Sequence, residues 1–401
     1  MKILVVSQYF YPENFRVNPL CKELVRRGHD VTVMTAYPQY PFGEIYPGYG
    51  FDLPYEKEWN GVKIERVKVP PRGKNALGLL KNCVGYVLSG NRWVDQCKEK
   101  YDAVFVFEVS PVTVGLPAVR YKKKFGSPVF FNLQDLWPEN VHEVLGIRFA
   151  PLTFVINKIV DKIYRHSHKI LCASGGFQEN LRQRGVPEEK LVFWPQFCPP
   201  PKEEKLTKPE IYSEDFFNIV FTGNIGDAQG LDLVIDAAKE LKDEKIRWYL
   251  VGDGRAKERL EKRAAEEGVE KDVIFVGRVD EDTANSYAAF ADCAYLSFTD
   301  NKLFNLTLPA KLQTYLACGA PILAAAGGES KHIIEKARCG KAVPPKKEDL
   351  VLAAKEMKSL SEEERLAFKQ NAKAFYKEHF TMEDLVTKLE EMMTDAVEKQ
   401  K

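Results

Sequence analysis

Short apolar runs alternate along the chain with longer stretches in which apolar positions recur every three or four residues, the periodicities of buried strands and amphipathic helices. Residues 2–7 (KILVVS) read as a strand buried on both faces, and a helix is expected from about 17 to 27, stopped by Gly28. His29 and Asp30 then lead into a strand over 31–35. Further strands are expected at 62–69, 103–107, 129–133, 170–173 and 191–194, with helical patterns between most of them. A Pro-rich segment at 195–210 breaks the rhythm, which restarts with strands at 218–222, 247–251, 273–276, 293–297 and 321–325. This alternation predicts parallel sheets with helices on both faces. The expected architecture is α/β: two Rossmann-like domains at 1–198 and 213–380, a linker at 199–212 and a C-terminal helix at 381–401. That helix opens on a capping-box-like Thr381 and Asp384 and carries Leu385, Leu389 and Met392 on one face. In such sheets ligands sit at the carboxyl ends of the strands, and with two domains the cleft between them is the default site.

Composition narrows the function classes. A length of 401 residues exceeds one comfortable core. Lys plus Arg number 58 against 57 Asp plus Glu, so no global field draws nucleic acid, and none is expected as a partner. The eight cysteines are scattered, without a CxxC pair or ligand-like spacing to histidine, which fits free thiols better than disulfides or zinc. The stretch MKILVVSQYF turns polar too soon for a signal peptide, and no apolar run approaches the ~20 residues of a spanning helix. A cytoplasmic protein is expected, with peripheral contact at the inner face of the plasma membrane left open.

The densest chemistry lies in residues 298–329. Pro309 starts a helix and Gly319 ends it, while Lys311 in the first turn points an ammonium where free N–H groups already favour an anion. Gly327 and Gly328, after a strand and before Glu329, let backbone amides approach a second oxygen-rich group. An ordinary βαβ unit with turn glycines explains these residues equally well. Upstream, the first strand after the linker ends in FTGNIGDAQGL, where Gly223, Gly226 and Gly230 surround Asn224 ahead of a helix. This is a strand–glycine loop–helix, the usual phosphate cradle, although neither GxGxxG nor a Walker loop. The next strands end in GDGR and GRV, bringing Arg255, Gly277 and Arg278. Together these strand ends suit one wall of a nucleotide pocket, with Lys311 and Arg255 placed to neutralise a diphosphate. For Arg255, pairing with Glu258 or Asp253 on a solvated helix is the competing reading.

On MKILVVSQYFYPE, RRGHDVTVMT, NLQDLWPEN, FTGNIGDAQGL, VGDGR and LPAKLQTYLACGAPILAAAGGE, the chain resembles the retaining GT-B glycosyltransferases of group 1 (family four) over nearly its whole length. It is most similar to the branch that builds bacterial surface polysaccharide, including the fucosamine transferases of capsule and O-antigen pathways. The resemblance implies the GT-B fold, two Rossmann-like domains with parallel sheets facing across a deep cleft, and a last helix that crosses back onto the first domain. It implies a nucleotide-sugar donor, UDP-linked, held by the second domain, and a saccharide or undecaprenyl-diphosphate-linked acceptor held by the first. Gly223 and Asn224 would border the donor phosphates with Gly226 in the same loop, Lys311 would meet the diphosphate, and Gly277 and Arg278 would lie beside the base. Many members carry two glutamates separated by seven residues before the ACG-type turn; here those positions are Leu306 and Thr314. Thr314 therefore offers a hydroxyl to the ribose, as the surface-polysaccharide branch commonly does, and Glu329 is the substitute carboxylate.

In the first domain NLQDLWPEN follows a strand, so Gln134, Asp135 and Glu139 fall at its carboxyl end. The resemblance puts a histidine facing the donor sugar at the position of Gln134 in many relatives. Asp135 or Glu139 would orient the acceptor hydroxyl or take its proton; a turn cap before Trp137-Pro138 is the structural alternative for Asp135. Glu13, Asn14 and Arg16 lie in the loop after the first strand, where a diphosphate or an acceptor approaches. His166 and His168 have no third ligand in view, so no metal is expected, nor any cofactor beyond the nucleotide-sugar substrate. Residues 68–93 mix basic and apolar side chains in a way that suits a helix on an anionic lipid surface, and core packing explains the apolar half equally. Two other functions fit the same residues: a nucleotide-sugar epimerase of the same fold, and a non-catalytic nucleotide-sugar-binding partner.

Overall fold

The computed structural model describes residues 1–73, 75–144 and 149–400. The chain divides into two compact units, Met1–Pro195 with Leu385–Lys401, and Gln196–Asp384.

The first unit is an eight-stranded sheet. Its strands are β1 Lys2–Ser7, β2 Asp30–Ala36, β3 Glu58–Trp59, β4 Val62–Val67, β5 Ala103–Glu108, β6 Val129–Leu133, β7 Lys169–Cys172 and β8 Leu191–Phe193, in the order β3-β4-β2-β1-β5-β6-β7-β8. Only β3 runs antiparallel to its neighbour. Ile3, Leu4, Val5, Phe105 and Phe131 are completely covered, as continuous apolar runs require when helices pack on both faces. The helix Val17–Arg26 ends where Gly28 takes a φ of +89°, a conformation that costs a side chain dearly and glycine nothing. β4 stops at Val67, short of the expected residue 69, just ahead of Pro70-Pro71, which have no N–H to give the ladder. From β1 the chain moves outward through β2 and β4, then resumes on the other side at β5. The loops after β1 and β5 therefore diverge, and the loops after β5 and β6 are neighbours.

The C-terminal helix Met382–Glu398 is opened by Thr381, whose hydroxyl donates to Asp384 at 2.6 Å and accepts from its backbone N–H at 3.3 Å. Leu385, Leu389 and Met393 are buried on its inner face, with Met393 in the place expected for Met392. Glu390 receives the Arg27 guanidinium at 2.6 Å and meets His29 Nε2 at 2.6 Å, while Trp194 Nε1 donates to the Leu385 carbonyl at 2.8 Å. His29 is thus a structural residue.

The second unit is a six-stranded parallel sheet of β9 Phe217–Thr222, β10 Ile246–Val251, β11 Val273–Gly277, β12 Cys293–Ser297, β13 Ile322–Ala325 and β14 Gly340–Val343, ordered β11-β10-β9-β12-β13-β14. Trp248 packs edge-on against Tyr295 at 5.2 Å in its core. Residues 199–212, expected as a free linker, belong to this unit. Thr207 N–H donates to Ser286 Oγ at 3.1 Å, Tyr212 donates to the Tyr287 carbonyl at 2.8 Å, and Lys205 pairs with Asp282 at 2.6 Å. The prolines stop regular structure without stopping packing.

Candidate active site

In the second unit the loops after β9, β10 and β11 prolong the sheet as bare backbone. Gly223 N–H donates to the Val251 carbonyl at 2.8 Å, Gly252 N–H to the Gly277 carbonyl at 2.8 Å, and Ile225 N–H to the Asp253 carbonyl at 2.8 Å. Gly252 has a φ of +143°, and a β-carbon there would run into the Gly223 carbonyl oxygen. Glycine is needed because the two loops touch. Beyond them opens a cavity of about 400 Å³ lined by Gly223, Asn224, Val251, Gly252, Asp253, Arg278, Val279 and Ala284. Asn224 donates through Nδ2 to Gln229 Oε1 at 3.3 Å, and Gly226 N–H donates to the same oxygen at 3.1 Å, which fixes the turn.

Lys311 reaches this wall from the helix Ala310–Cys318, whose N-cap is Pro309 and whose C-cap, Gly319, has a φ of +68°. A β-carbon on Gly223 would be 3.6 Å from Lys311 Nζ. The nitrogen is buried, has no hydrogen-bond partner among the described residues and lies 3.7 Å from the centre of the Phe221 ring. Burial pushes its pKa down to about 7. A cation held over an aromatic face and denied a counter-ion is poised for an anionic ligand.

The structure thus brings Gly223, Asn224, Gly277, Arg278 and Lys311 into one neighbourhood. It does not bring Arg255 there. That side chain is exposed, outside the cavity lining and without the expected carboxylate partner among the described residues, and Asp253 is the charged residue this loop gives the cavity. Ala256, next to it, is buried. Thr314 and Glu329 also lie outside the lining. The Thr314 hydroxyl bonds back to the Ala310 carbonyl at 3.4 Å, and Glu329 is buried in the first turn of the helix Gly328–Ala337. Gly328 is explained by packing, since a β-carbon there would collide with the Asn305 carbonyl, whereas one on Gly327 would meet only the Asn305 side chain, its oxygen at 3.3 Å.

In the first unit, Asp135 Oδ2 accepts from both the backbone N–H of Ser110 at 2.9 Å and its hydroxyl at 2.6 Å. Asp135 therefore ties the loop after β6 to the loop after β5 instead of capping its own turn. Beneath it lies Glu108, a residue the sequence reading missed. It is fully buried, and its Oε2 accepts from the N–H groups of Gln134 and Asp135, each at 3.1 Å. Burial, with the neighbouring Asp135 carboxylate, drives the Glu108 pKa well above the usual range, which favours the protonated acid. A glutamate ending an otherwise apolar strand, FVFE, was the available signal. Gln134 Nε2 donates to Asn132 Oδ1 at 2.7 Å, and Glu139 Oε1 accepts from Asn180 at 3.1 Å while its Oε2 is buried without a partner among the described residues. Glu13 is a brace rather than an open loop carboxylate: it accepts from the N–H groups of Gln39 at 2.9 Å, Tyr40 at 2.7 Å and Phe10 at 3.3 Å. Its pKa, raised chiefly by burial, is about 7. Asn14 is exposed and Arg16 half-buried at the start of the helix Val17–Arg26. Among the described residues, no three His, Cys, Asp or Glu gather in a way that could hold a metal ion.

Residues 14–196 match the glycosyl transferase 4-like domain, and residues 202–375 match the glycosyl transferases group 1 family. WcaI of Escherichia coli K12, named as a colanic acid biosynthesis glycosyl transferase, is 25% identical over 342 residues, 80% of this chain and 82% of its own. Anabaena HepE, solved in complex with UDP, superposes with a TM-score of 0.68 at 16% identity, covering 98% of this chain and 100% of that one. WaaG, a glycosyltransferase involved in lipopolysaccharide biosynthesis, gives 0.61 at 17% identity over 98% and 100% of the two chains. With parallel α/β sheets in both units and a glycosyl transferase 4-like domain followed in sequence order by a glycosyl transferases group 1 domain, the chain has the GT-B fold and the domain make-up of a group 1 glycosyltransferase.

Proposed function

We propose that this glycosyltransferase moves a sugar, with retention, from a UDP-sugar to a saccharide acceptor carried on undecaprenyl diphosphate, in the synthesis of a surface polysaccharide. The observation that carries the donor half is Lys311: a buried amine without a partner among the described residues, beside a glycine-built cavity, matches a diphosphate in charge. HepE, of the same fold, is solved with UDP and with UDP-glucose, which supports uridine as the base. The polysaccharide assignment draws on the names of WcaI and WaaG. Asp135 is the proposed base or orienting carboxylate, with Glu139 the second candidate. No metal is required in this reading, since Lys311 supplies the charge.

Peripheral membrane contact through 68–93 is part of the proposal. The helix Ala76–Gln96 leaves Leu77, Leu80, Val84 and Leu88 exposed, each by 48–64%. Residues 67–94 contain five Lys or Arg and no Asp or Glu, the charge pattern an anionic leaflet attracts. No described helix is long and apolar enough to cross a membrane.

The test is product analysis with a UDP-sugar panel and lipid-linked acceptors, with the anomeric configuration read by NMR. Sugar transfer with the donor's configuration supports the proposal. Conversion of the nucleotide sugar without acceptor would favour an epimerase, and binding without turnover a partner protein.

A further inference from the structure

A second cavity, of about 150 Å³, lies wholly in the first unit and is lined by Arg72, Leu79, Cys83, Ser110, Pro111, Trp137, Asn140 and Val141. Arg72 is the only charged residue of that lining among the described residues, and its guanidinium has no hydrogen bond, ion pair or ring contact among them. Its backbone, by contrast, is pinned. Arg72 N–H donates to Gln39 Oε1 at 2.6 Å, an oxygen that also receives Asn82 Nδ2 at 3.0 Å, and Gln39 N–H is held by Glu13 at 2.9 Å. A fixed stem thus presents a free planar donor to a small cavity. Ser110 lines the same cavity and its hydroxyl donates to Asp135 at 2.6 Å, so the cavity adjoins the proposed base.

We propose that this cavity is an anion subsite for the acceptor, in which Arg72 grips a phosphate or carboxylate group while Leu79, Pro111 and Val141 cover the apolar part attached to it. A guanidinium is built for bidentate grip on such an oxyanion, and among the described residues the lining offers no carboxylate to compete. A volume of about 150 Å³ suits one such group and its linking atoms, not a whole oligosaccharide. The inference rests on the acceptor lying in the first unit. It would place the acceptor's charge on Arg72 and its reacting hydroxyl toward Asp135.

The test is calorimetric titration of the full chain with farnesyl diphosphate, inorganic diphosphate and glucuronate, in saturating UDP so that the Lys311 cavity is filled. The wild type is expected to bind at least one probe, Arg72→Gln to weaken it tenfold or more, and Arg72→Lys to fall between. Cys83→Phe, which fills the cavity, should lose the same binding. Farnesyl diphosphate binding far tighter than inorganic diphosphate would identify a lipid-linked phosphate, and preference for glucuronate an acidic saccharide. Equal binding by wild type and Arg72→Gln, or no binding of any probe at millimolar concentration, would overturn the proposal. UDP affinity, measured alone in each variant, should not change; its absence in the wild type would count against the donor reading and leave the Arg72 comparison standing.

Discussion

Lys311 Nζ lies 3.7 Å from the centre of the Phe221 ring with no acceptor in reach among the described residues, and burial alone lowers its pKa to about 7. In the unfolded chain the same amine titrates near the ordinary 10.5. Below about pH 7 the folded protein must carry this buried charge. As pH rises from there to the ordinary lysine value, only the unfolded chain keeps the proton and the penalty fades. Urea unfolding should therefore show Lys311→Met more stable than wild type at neutral pH, with the gap closing toward about pH 10. A diphosphate reverses the balance. Calorimetry at about pH 8 in buffers of different ionisation enthalpy should show proton uptake on UDP binding that Lys311→Met lacks.

The glycine wall gives a paired prediction. Gly252→Ala forces a β-carbon into the Gly223 carbonyl, whereas a β-carbon on Gly277, at a φ of +86°, would meet nothing within 4 Å. The first substitution should cost several kcal/mol and the second only the backbone strain, about 1 kcal/mol. Thermal melting and UDP affinity of the two variants, side by side, measure the difference.

Asp135→Asn should lower kcat by about 10²–10⁴-fold while leaving UDP affinity near wild type, as expected for a lost general base. Glu108→Gln keeps a carbonyl oxygen for the two N–H groups of Gln134 and Asp135 and resembles the neutral acid, so it should melt close to wild type. Glu108→Ala strands both donors and should cost about 1–3 kcal/mol. The pair of melting curves separates the brace from a mere space-filler.

Glu390 joins Arg27 and His29 to the C-terminal helix, each at 2.6 Å. Glu390→Ala should destabilise the protein by about 1–3 kcal/mol and raise hydrogen exchange in 382–398 first. Unchanged exchange there would show that Leu385, Leu389 and Met393 hold the helix by themselves.

Which parts were legible in the sequence follows from the range of each interaction. Strand rhythm and the stops at Gly28 and Gly319 are local, and both glycines take positive φ where the helices end. The glycine wall was legible because three strand ends carry it in consecutive motifs. Whether Asp253 or Arg255 faces the cavity was not legible, because two positions in the same short loop differ only in which way the backbone turns them, and no composition encodes that. Glu108 was passed over because its role depends on β6 lying beside β5, a pairing of residues 25 or more apart. The segment 199–212 looked like a linker for its prolines, yet Tyr212 is buried against Tyr249 and Tyr287, a contact visible only once the sheet is assembled.

The most direct test of the central claim is UDP binding by isothermal calorimetry to wild type and Lys311→Met at neutral pH. The account predicts measurable binding to the wild type and a loss of tenfold or more in the variant, about 1.4 kcal/mol, with the fold intact by melting. Equal affinity for UDP in the two proteins would contradict it, and would move the diphosphate away from the buried amine that defines the site.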